Sequence, residues 1–134
     1  MGAGRDDNVD AVRSWVASGA DINVVNELGF TPLMLASRGH RAECVAEMLR
    51  LGADARRVAN DGWTALHWVA LSGSDGGAGA EVVRLLVAAG CDAAVHDHFG
   101  CTAVQLARDS GGAEWGRKVK GWVAAAMARG RGER

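Results

Sequence analysis

The sequence predicts an all-α repeat solenoid, and three regularities of the chain lead to this fold class. Three segments start with Gly-Ala-Asp or Gly-Cys-Asp and end with a Gly-x-Thr triplet: residues 19–31, 52–64 and 90–102. An apolar stretch follows each triplet, and a second apolar stripe with helical spacing follows that stretch. A fixed period that combines a glycine turn with a helix start is typical of repeat arrays. Such arrays present extended surfaces rather than enclosed pockets, which favours a binding function.

The first unit, residues 1–25, contains only part of this pattern. Val12, Trp15 and Val16 form a partial helical stripe that ends before Gly19. We expect this stripe, with Trp15 included, to lie in the core. Because no Gly-x-Thr triplet precedes it, the first unit is predicted to be a degenerate repeat.

Each later unit is predicted to begin with a tight turn and a capped first helix. The turn glycine can adopt a positive φ, and the threonine can accept a hydrogen bond from the first helical turn. Pro32 stands at a first helical position, where its missing N–H has no cost. Thr102 and Gln105 have the spacing of a capping box. The turn glycines are Gly29, Gly62 and Gly100.

The second helix of each unit is predicted from an apolar stripe. Cys44 lies on the first of these stripes, so we expect it to be an inert core thiol. The two internal stripes consist of Cys44, Val45, Met48 and Leu49, and of Val82, Val83, Leu86 and Val87. A glycine-rich stretch, residues 72–79, lengthens the turn before the second of them. Its composition predicts flexibility; we interpret it as a surface insertion, with a functional loop as the alternative.

A closing helix is predicted near the C-terminus. Gly116 and Gly121 lie inside it and each cost about 1 kcal/mol relative to alanine. We expect Trp122 in the core, Trp115 over the open end of the array, and Trp68 between first helices. One face of the closing helix consists of Trp115, Val119, Trp122, Val123 and Ala126.

The first helices carry a family motif. Residues 31–36 read TPLMLA, residues 64–69 read TALHWV and residues 102–107 read TAVQLA. These segments resemble the Thr-Pro-Leu-His-x-Ala motif of ankyrin-repeat proteins, and the resemblance covers roughly residues 6–126. It implies an ankyrin-repeat solenoid of about four repeats, each a hairpin loop followed by two antiparallel helices, with a C-terminal capping helix. The implied layout is one domain over residues 1–129, with approximate repeats 1–25, 26–58, 59–96 and 97–129, and a disordered basic tail over 130–134.

The motif histidine remains only as His67, while Met34 and Gln105 occupy the equivalent positions. The resemblance implies that His67 makes structural hydrogen bonds between neighbouring loops rather than acting as a general base. Carboxylates that recur with the repeat are predicted to accept loop hydrogen bonds rather than to form an acid–base pair. They are Asp21, Asp54 and Asp92.

The resemblance also implies a binding surface, formed by the hairpin tips and the concave face of the first helices. Its positions here are Glu27, Leu28, Phe30 and Arg38, then Asn60, Asp61, Trp63 and Leu71, then His98, Phe99, Cys101 and Asp109. Five of these side chains are large and apolar where the array should meet water, which is typical of interaction sites. We predict that Trp63 is the central hot spot, because aromatic anchors dominate interface energies. In the alternative, Phe30 and Trp63 fold back and connect adjacent hairpins.

Four residues near the third hairpin are candidate zinc ligands: Cys91, His96, His98 and Cys101. Closely spaced Cys and His residues suit tetrahedral zinc, but this spacing matches no standard zinc module. The repeat also gives each of the four a structural place, which favours a structural role. A zinc site at this loop stays the minor alternative.

The composition excludes several functional classes. The net charge is −1, so neither nucleic acid nor an anionic membrane is favoured as a partner, and the short basic tail is weak evidence for nucleic acid. We find no apolar run long enough for membrane insertion and no signal-peptide core. Three cysteines without a CxxC pair suit a reducing compartment, so we expect a cytoplasmic or nuclear location. Phosphate-binding loops and nucleophile elbows are missing from the sequence.

The predicted function is therefore non-catalytic binding of a protein partner, as an adaptor, inhibitor or scaffold, without a cofactor. We expect a monomer when the chain is alone, or one subunit of a hetero-complex. A permanent structural subunit of a larger complex is the alternative. A metal-binding switch at the Cys91–Cys101 loop is the remote one.

Overall fold

The structure, a computed structural model, describes residues 3–71 and 78–132. These residues form helices and connecting loops, with no strand among them, which confirms the all-α prediction. The helices are α1 (Ala3–Ala17), α2 (Pro32–Arg38), α3 (Ala42–Arg50), α4 (Ala65–Leu71), α5 (Gly79–Ala88) and α6 (Ala103–Gly132).

The helices stack in two layers, as a repeat array requires. In the first layer, α2 packs on α4 and α4 packs on α6. In the second layer, α1 packs on α3, α3 on α5, and α5 on α6. In the described part of the first unit, α1 occupies the second layer and no helix of the first layer accompanies it. This is the degenerate first repeat that the sequence predicts.

Predicted caps begin the first helices. The Thr31 hydroxyl accepts a hydrogen bond from the Met34 N–H at 3.2 Å. Thr102 and Gln105 form the predicted capping box: the Thr102 N–H donates to Gln105 Oε1 at 2.9 Å, and the Gln105 N–H donates to Thr102 Oγ1 at 3.3 Å. Each bond satisfies a backbone group that would otherwise lack a partner at a helix start.

The long helix α6 is broken at Gly112, whose φ is 87°. The two arms on either side of this break come close together at Gly116, where a Cβ atom would lie only 3.0 Å from Cβ of Arg108. From the sequence alone, Gly116 is expected only to destabilise the helix. In the fold it permits the contact between the arms, whereas an added Cβ at Gly121 would meet nothing within 4 Å.

A continuous core runs between the two layers. Val45, Val69 and Val83 are fully buried there, and Trp115 is 4% exposed. Cys44 is also buried, and burial raises the pKa of its thiol, as expected for an inert core cysteine.

The prediction that Trp15 lies in the core is wrong, because its side chain is 38% exposed. Val12 and Val16 are half-buried and pack against the core instead. The described helices place only α3 beside α1 in its layer. One neighbour covers a narrower face of the helix than the two neighbours of an internal repeat do.

A carboxylate that the sequence does not single out connects α1 to α3. Glu47 is 7% exposed and accepts a hydrogen bond from Arg13 Nε at 3.0 Å. Arg50 donates to the same carboxylate. Hydrogen bonds from Arg50 and Arg13 lower the pKa of Glu47 from 4.5 to about 2, and the bond from Arg13 connects α1 to α3.

The ends of two predicted segments differ from the structure. Helix α6 continues to Gly132, so residues 130–132 are helical rather than a disordered tail. The alanines before them favour helix. Most of the 72–79 insertion lies outside the described residues, and its last residue, Gly79, begins α5. None of the helices in the described part of the chain combines the length and the apolar character that a membrane span requires.

Candidate protein-binding surface

Three hairpin turns precede the first helices, and we call them together the hairpin row: residues 26–30, 59–63 and 97–101. Each turn is closed by the same backbone hydrogen bond between its first and last residues. The bonds are Asn26 N to Phe30 O at 3.2 Å, Ala59 N to Trp63 O at 2.9 Å and Asp97 N to Cys101 O at 2.9 Å. The repeat therefore gives three copies of one turn.

Neighbouring turns of the hairpin row are hydrogen-bonded to one another. The Asn60 N–H donates to the Leu28 carbonyl, and the His98 N–H donates to the Asp61 carbonyl, each at 3.0 Å. The Asn60 side chain adds a bond from Nδ2 to the Glu27 carbonyl at 2.9 Å. The row is thus one continuous surface rather than three independent loops.

Side-chain acceptors hold the outer turns in shape. Asn26 Oδ1 accepts the N–H groups of Leu28 and Phe30, and Asp97 Oδ1 accepts those of Phe99 and Cys101, at distances of 2.9–3.0 Å. These bonds fix the backbone at the two tips.

The middle turn has Ala59 at the equivalent position, and there Asp61 Oδ1 accepts the Trp63 N–H at 3.1 Å.

The loop aspartates Asp21, Asp54 and Asp92 each accept a backbone N–H two residues ahead. Their predicted role in loop hydrogen bonding is confirmed.

Large apolar side chains lie exposed at the outer tips. Phe99 is 85% exposed and Leu28 is 56% exposed. Glu27 and His98 are also exposed at these outer tips, and Asn60 is exposed in the middle turn. These predicted binding residues therefore lie where a partner can reach them.

Phe30 and Trp63 lie differently, since both are half-buried against Trp68 of α4. The Phe30 and Trp68 ring centroids are 4.8 Å apart, and those of Trp63 and Trp68 are 5.0 Å apart, both edge to face. The Trp63 indole Nε1 donates to Asp97 Oδ2 of the next hairpin at 2.9 Å. This is the folded-back arrangement that the sequence leaves as an alternative, and the role of Trp63 as a hot spot stays a prediction.

The Asp97 carboxylate, 7% exposed, receives several of these bonds. Burial by itself would raise its pKa, but hydrogen bonds from the Cys101 N–H, the Trp63 indole and the Phe99 N–H bring the pKa below its ordinary value. The charged Asp97 carboxylate therefore stabilises its own turn through backbone N–H groups and connects it to the middle turn through Trp63.

His67 has the structural role that the motif implies. Its Nδ1 accepts the Thr64 N–H at 3.1 Å, so Nε2 carries the proton and donates to the Cys101 carbonyl at 2.9 Å. Burial lowers the pKa of His67, which favours the neutral ring. Both nitrogens are engaged, and the side chain is 1% exposed, which suits a structural contact rather than a general base.

The first helices supply the concave part of the surface. Arg38 and Asp109 are exposed, and Leu71 is half-buried. The Arg38 guanidinium carbon lies 5.9 Å from the Trp68 ring centroid. Leu35 is 51% exposed on α2, and sequence reasoning missed it because its position is filled by the buried Trp68 in the next repeat.

Two further exposed residues, Val25 and Val58, precede the first and second turns of the row and were also missed. The repeat register could have identified them, since each stands six residues before the threonine that precedes a first helix.

The zinc candidates are not brought together. Cys91 is buried, Cys101 is half-buried, and His96 and His98 are exposed. Within the described ranges, no group of three or more Cys, His, Asp or Glu side chains is arranged to hold a metal ion. Burial raises the pKa of the Cys91 thiol, which disfavours the thiolate that zinc requires.

Comparison with known proteins agrees with this architecture. The sequence model of a family described as ankyrin repeats (3 copies) matches residues 1–97. The chain is similar to a protein of Arabidopsis thaliana named E3 ubiquitin-protein ligase XBAT34, with 36% identity over 107 residues, covering 78% of this chain and 27% of that protein. It is also similar to a rice protein, Oryza sativa subsp. japonica, named E3 ubiquitin-protein ligase XBOS34, with 32% identity over 119 residues, covering 87% of this chain and 22% of that protein. The chain thus spans about a quarter of the length of these curated relatives.

Proposed function

Because the chain belongs to the ankyrin-repeat family, we propose that it is a non-catalytic module that binds a protein partner through the hairpin row and the concave face beside it. The observation that supports this most directly is the exposure of Phe99 and Leu28, at 85% and 56%. Large apolar side chains held in water are typical of interaction sites. We propose that the chain acts in the cytoplasm or nucleus, without a cofactor.

The rigidity of the row supports the same function. Bonds between neighbouring turns and the acceptors Asn26 and Asp97 hold the tips in one conformation. A surface that is already ordered loses less conformational entropy when a partner binds. The hairpin row is therefore better suited to recognition than a set of separate loops.

Among the described residues, the arrangement of polar groups does not support a catalytic role. His67 has both ring nitrogens engaged, and the repeated aspartates accept backbone N–H groups. The candidate ligands Cys91, His96, His98 and Cys101 do not come together. We therefore do not propose the metal-dependent switch.

The names of the two plant relatives suggest a second, narrower function. Both carry the name E3 ubiquitin-protein ligase, and the matched part covers about a quarter of each. We propose that an array of this kind contributes partner recognition to such a protein, while the transfer chemistry lies elsewhere in it. The test is co-purification of a ubiquitin-conjugating enzyme with a full-length plant relative, before and after deletion of its ankyrin array. If deletion of the array abolishes the co-purification, this division of roles is contradicted.

Affinity capture from a lysate of the source cell tests the main proposal. The bait is the chain itself, compared with the double variant Leu28→Ala/Phe99→Ala and with the control Trp15→Ala/Met127→Ala. The control removes two exposed apolar side chains, 38% and 43% exposed, that lie on α1 and α6 away from the hairpin row. We expect a stoichiometric protein that binds the wild type and the control but not the Leu28/Phe99 variant. Equal recovery on all three baits would contradict the proposed surface.

The solution behaviour of the purified chain, with and without the captured partner, separates a reversible adaptor from a permanent subunit. An obligate interface buries more than about 2,000 Å² and leaves the free chain poorly soluble. A monodisperse free chain that exchanges its partner in solution would favour the adaptor. A chain that aggregates unless it is co-expressed with its partner would favour the permanent subunit.

A further inference from the structure

We infer that the segment bound by the hairpin row carries a lysine or arginine flanked by two large apolar side chains. This inference rests on the proposed function, because it specifies the chemistry of the partner at the same surface. It follows from three features of the row: where its apolar side chains lie, where its charges lie, and how far apart they are.

The apolar contacts lie at the two ends of the row. Leu28 and Phe99 occupy equivalent positions in the first and third turns, each directly before the turn glycine. Each has its backbone N–H bonded at 2.9 Å to an acceptor two residues earlier, Asn26 Oδ1 or Asp97 Oδ1. The same turn thus presents both side chains outward, and a partner must supply two apolar groups to cover them.

The charges of the row are all negative. Its fifteen residues, 26–30, 59–63 and 97–101, include Glu27, Asp61 and Asp97 but no lysine or arginine. The Asp97 carboxylate is buried and bonded within the row. The exposed Glu27 and the half-exposed Asp61 are left to interact with a partner.

Asp61 determines which charge we expect at the centre of the bound segment, because it occupies the position equivalent to Leu28 and Phe99 in the middle turn. The row therefore reads apolar, acidic, apolar along the stack. The arginines that precede the middle turn, Arg56 and Arg57, approach Asp54 at 3.6 Å and 3.9 Å. A partner cation at the middle position complements the row, whereas a partner carboxylate there would be repelled.

The repeat spacing sets the length of the bound segment. Packed helices lie about 10 Å apart, so the first and third turns lie about 20 Å apart. An extended chain rises about 3.3 Å per residue, so about six residues reach from one apolar contact to the other. The basic residue then lies near the middle of that segment.

Selection from a displayed library of random peptides of about 12 residues, long enough to cross the row, tests this inference. The bait is the purified chain. We expect enriched peptides to carry lysine or arginine between two large apolar residues. Enrichment of acidic or uncharged sequences would overturn the inference, and so would a library from which nothing is enriched.

Charge-neutral variants then locate the contact for an enriched peptide. Glu27→Gln/Asp61→Asn removes both charges, and Asn keeps the carbonyl oxygen that accepts the Trp63 N–H. We expect this variant to bind about tenfold more weakly or worse and with a smaller dependence on salt. The matched control Asp10→Asn/Glu114→Gln removes two exposed charges on α1 and α6 and should bind as the wild type does.

The apolar variant distinguishes failure of this inference from failure of the proposed function. If Leu28→Ala/Phe99→Ala abolishes peptide binding while Glu27→Gln/Asp61→Asn has no effect, the row binds partners but the basic residue is refuted. If neither double variant weakens binding, the peptide lies elsewhere and both proposals fail at this surface.

Discussion

Trp68 and Trp115 are both buried, but among the described residues only the Trp115 indole N–H has a hydrogen-bond acceptor. Trp115 Nε1 donates to the Ala70 carbonyl at 2.9 Å. Trp68 Nε1 finds no acceptor among the described residues, and the rings of Phe30 and Trp63 that pack on it offer at best weak π acceptors. A buried donor without a partner costs about 1–3 kcal/mol.

We therefore expect Trp115→Phe to lower the free energy of unfolding by at least about 1 kcal/mol more than Trp68→Phe does. Both changes remove the same atoms, and only the change at Trp115 also removes a hydrogen bond. Urea denaturation of the two variants measures it. Equal losses would indicate that the Trp68 indole N–H also has a hydrogen-bond acceptor in the folded chain.

Glu47 makes the stability of the chain depend on pH. Its folded pKa, about 2, lies below its ordinary value of 4.5, so the folded chain binds this proton less readily than the unfolded chain does. The stabilisation is therefore fully present above pH 4.5 and is lost as the pH falls toward 2. We expect Glu47→Gln to be less stable than the wild type at pH 7, with a difference that shrinks below about pH 4.5. Thermal unfolding from pH 7 to pH 2 checks this, and a difference that stays constant would contradict it.

Two glycines in α6 allow a matched test of helix packing. At Gly121 an added Cβ meets nothing within 4 Å, whereas at Gly116 it would lie 3.0 Å from Cβ and 3.1 Å from Cα of Arg108. We expect Gly121→Ala to stabilise the chain by about 0.5–1 kcal/mol, because alanine favours helix. Gly116→Ala should destabilise it by about 1–3 kcal/mol through overpacking. Denaturant midpoints measure both, and two changes of the same sign would show that the arms of α6 do not meet as described.

At the level of elements, local signals predict most of this fold. The caps at Thr31 and Thr102 depend on residues within one helical turn, so the sequence contains everything that determines them. Trp15 and Gly116 depend on which helices lie beside them. Their roles become visible only when the neighbours of α1 and the break at Gly112 are known.

Across the whole molecule, the turns of the hairpin row depend on one another. Gly62 has a φ of 87°, and a Cβ there would lie 2.9 Å from Cα of Asp97 in the next turn. Gly52 has a φ of 102° but nothing within 4 Å of an added Cβ.

We expect Gly52→Ala to cost about 1–2 kcal/mol through its backbone conformation alone. Gly62→Ala should cost at least about 1 kcal/mol more, since it also separates two turns. Chemical denaturation compares the variants. If the two substitutions cost the same, the turns do not contact each other closely.

The candidate surface is predictable from the sequence only in part. The repeat register places Leu28 and Phe99 at hairpin tips, and the structure leaves both exposed. The register cannot decide whether Phe30 and Trp63 point to a partner or to Trp68, because that depends on the neighbouring hairpin. Nor does it reveal the exposure of Leu35, whose equivalent in the next repeat is buried.

The hairpin row is the surface that we propose contacts the partner. Amide hydrogen exchange of the chain, alone and with the protein captured by the wild-type bait, tests this proposal most directly. We expect exchange to slow in residues 26–30, 59–63 and 97–101 and to stay unchanged in α3 and α5. Protection confined to α3 and α5, with the three turns exchanging as in the free chain, would contradict the account.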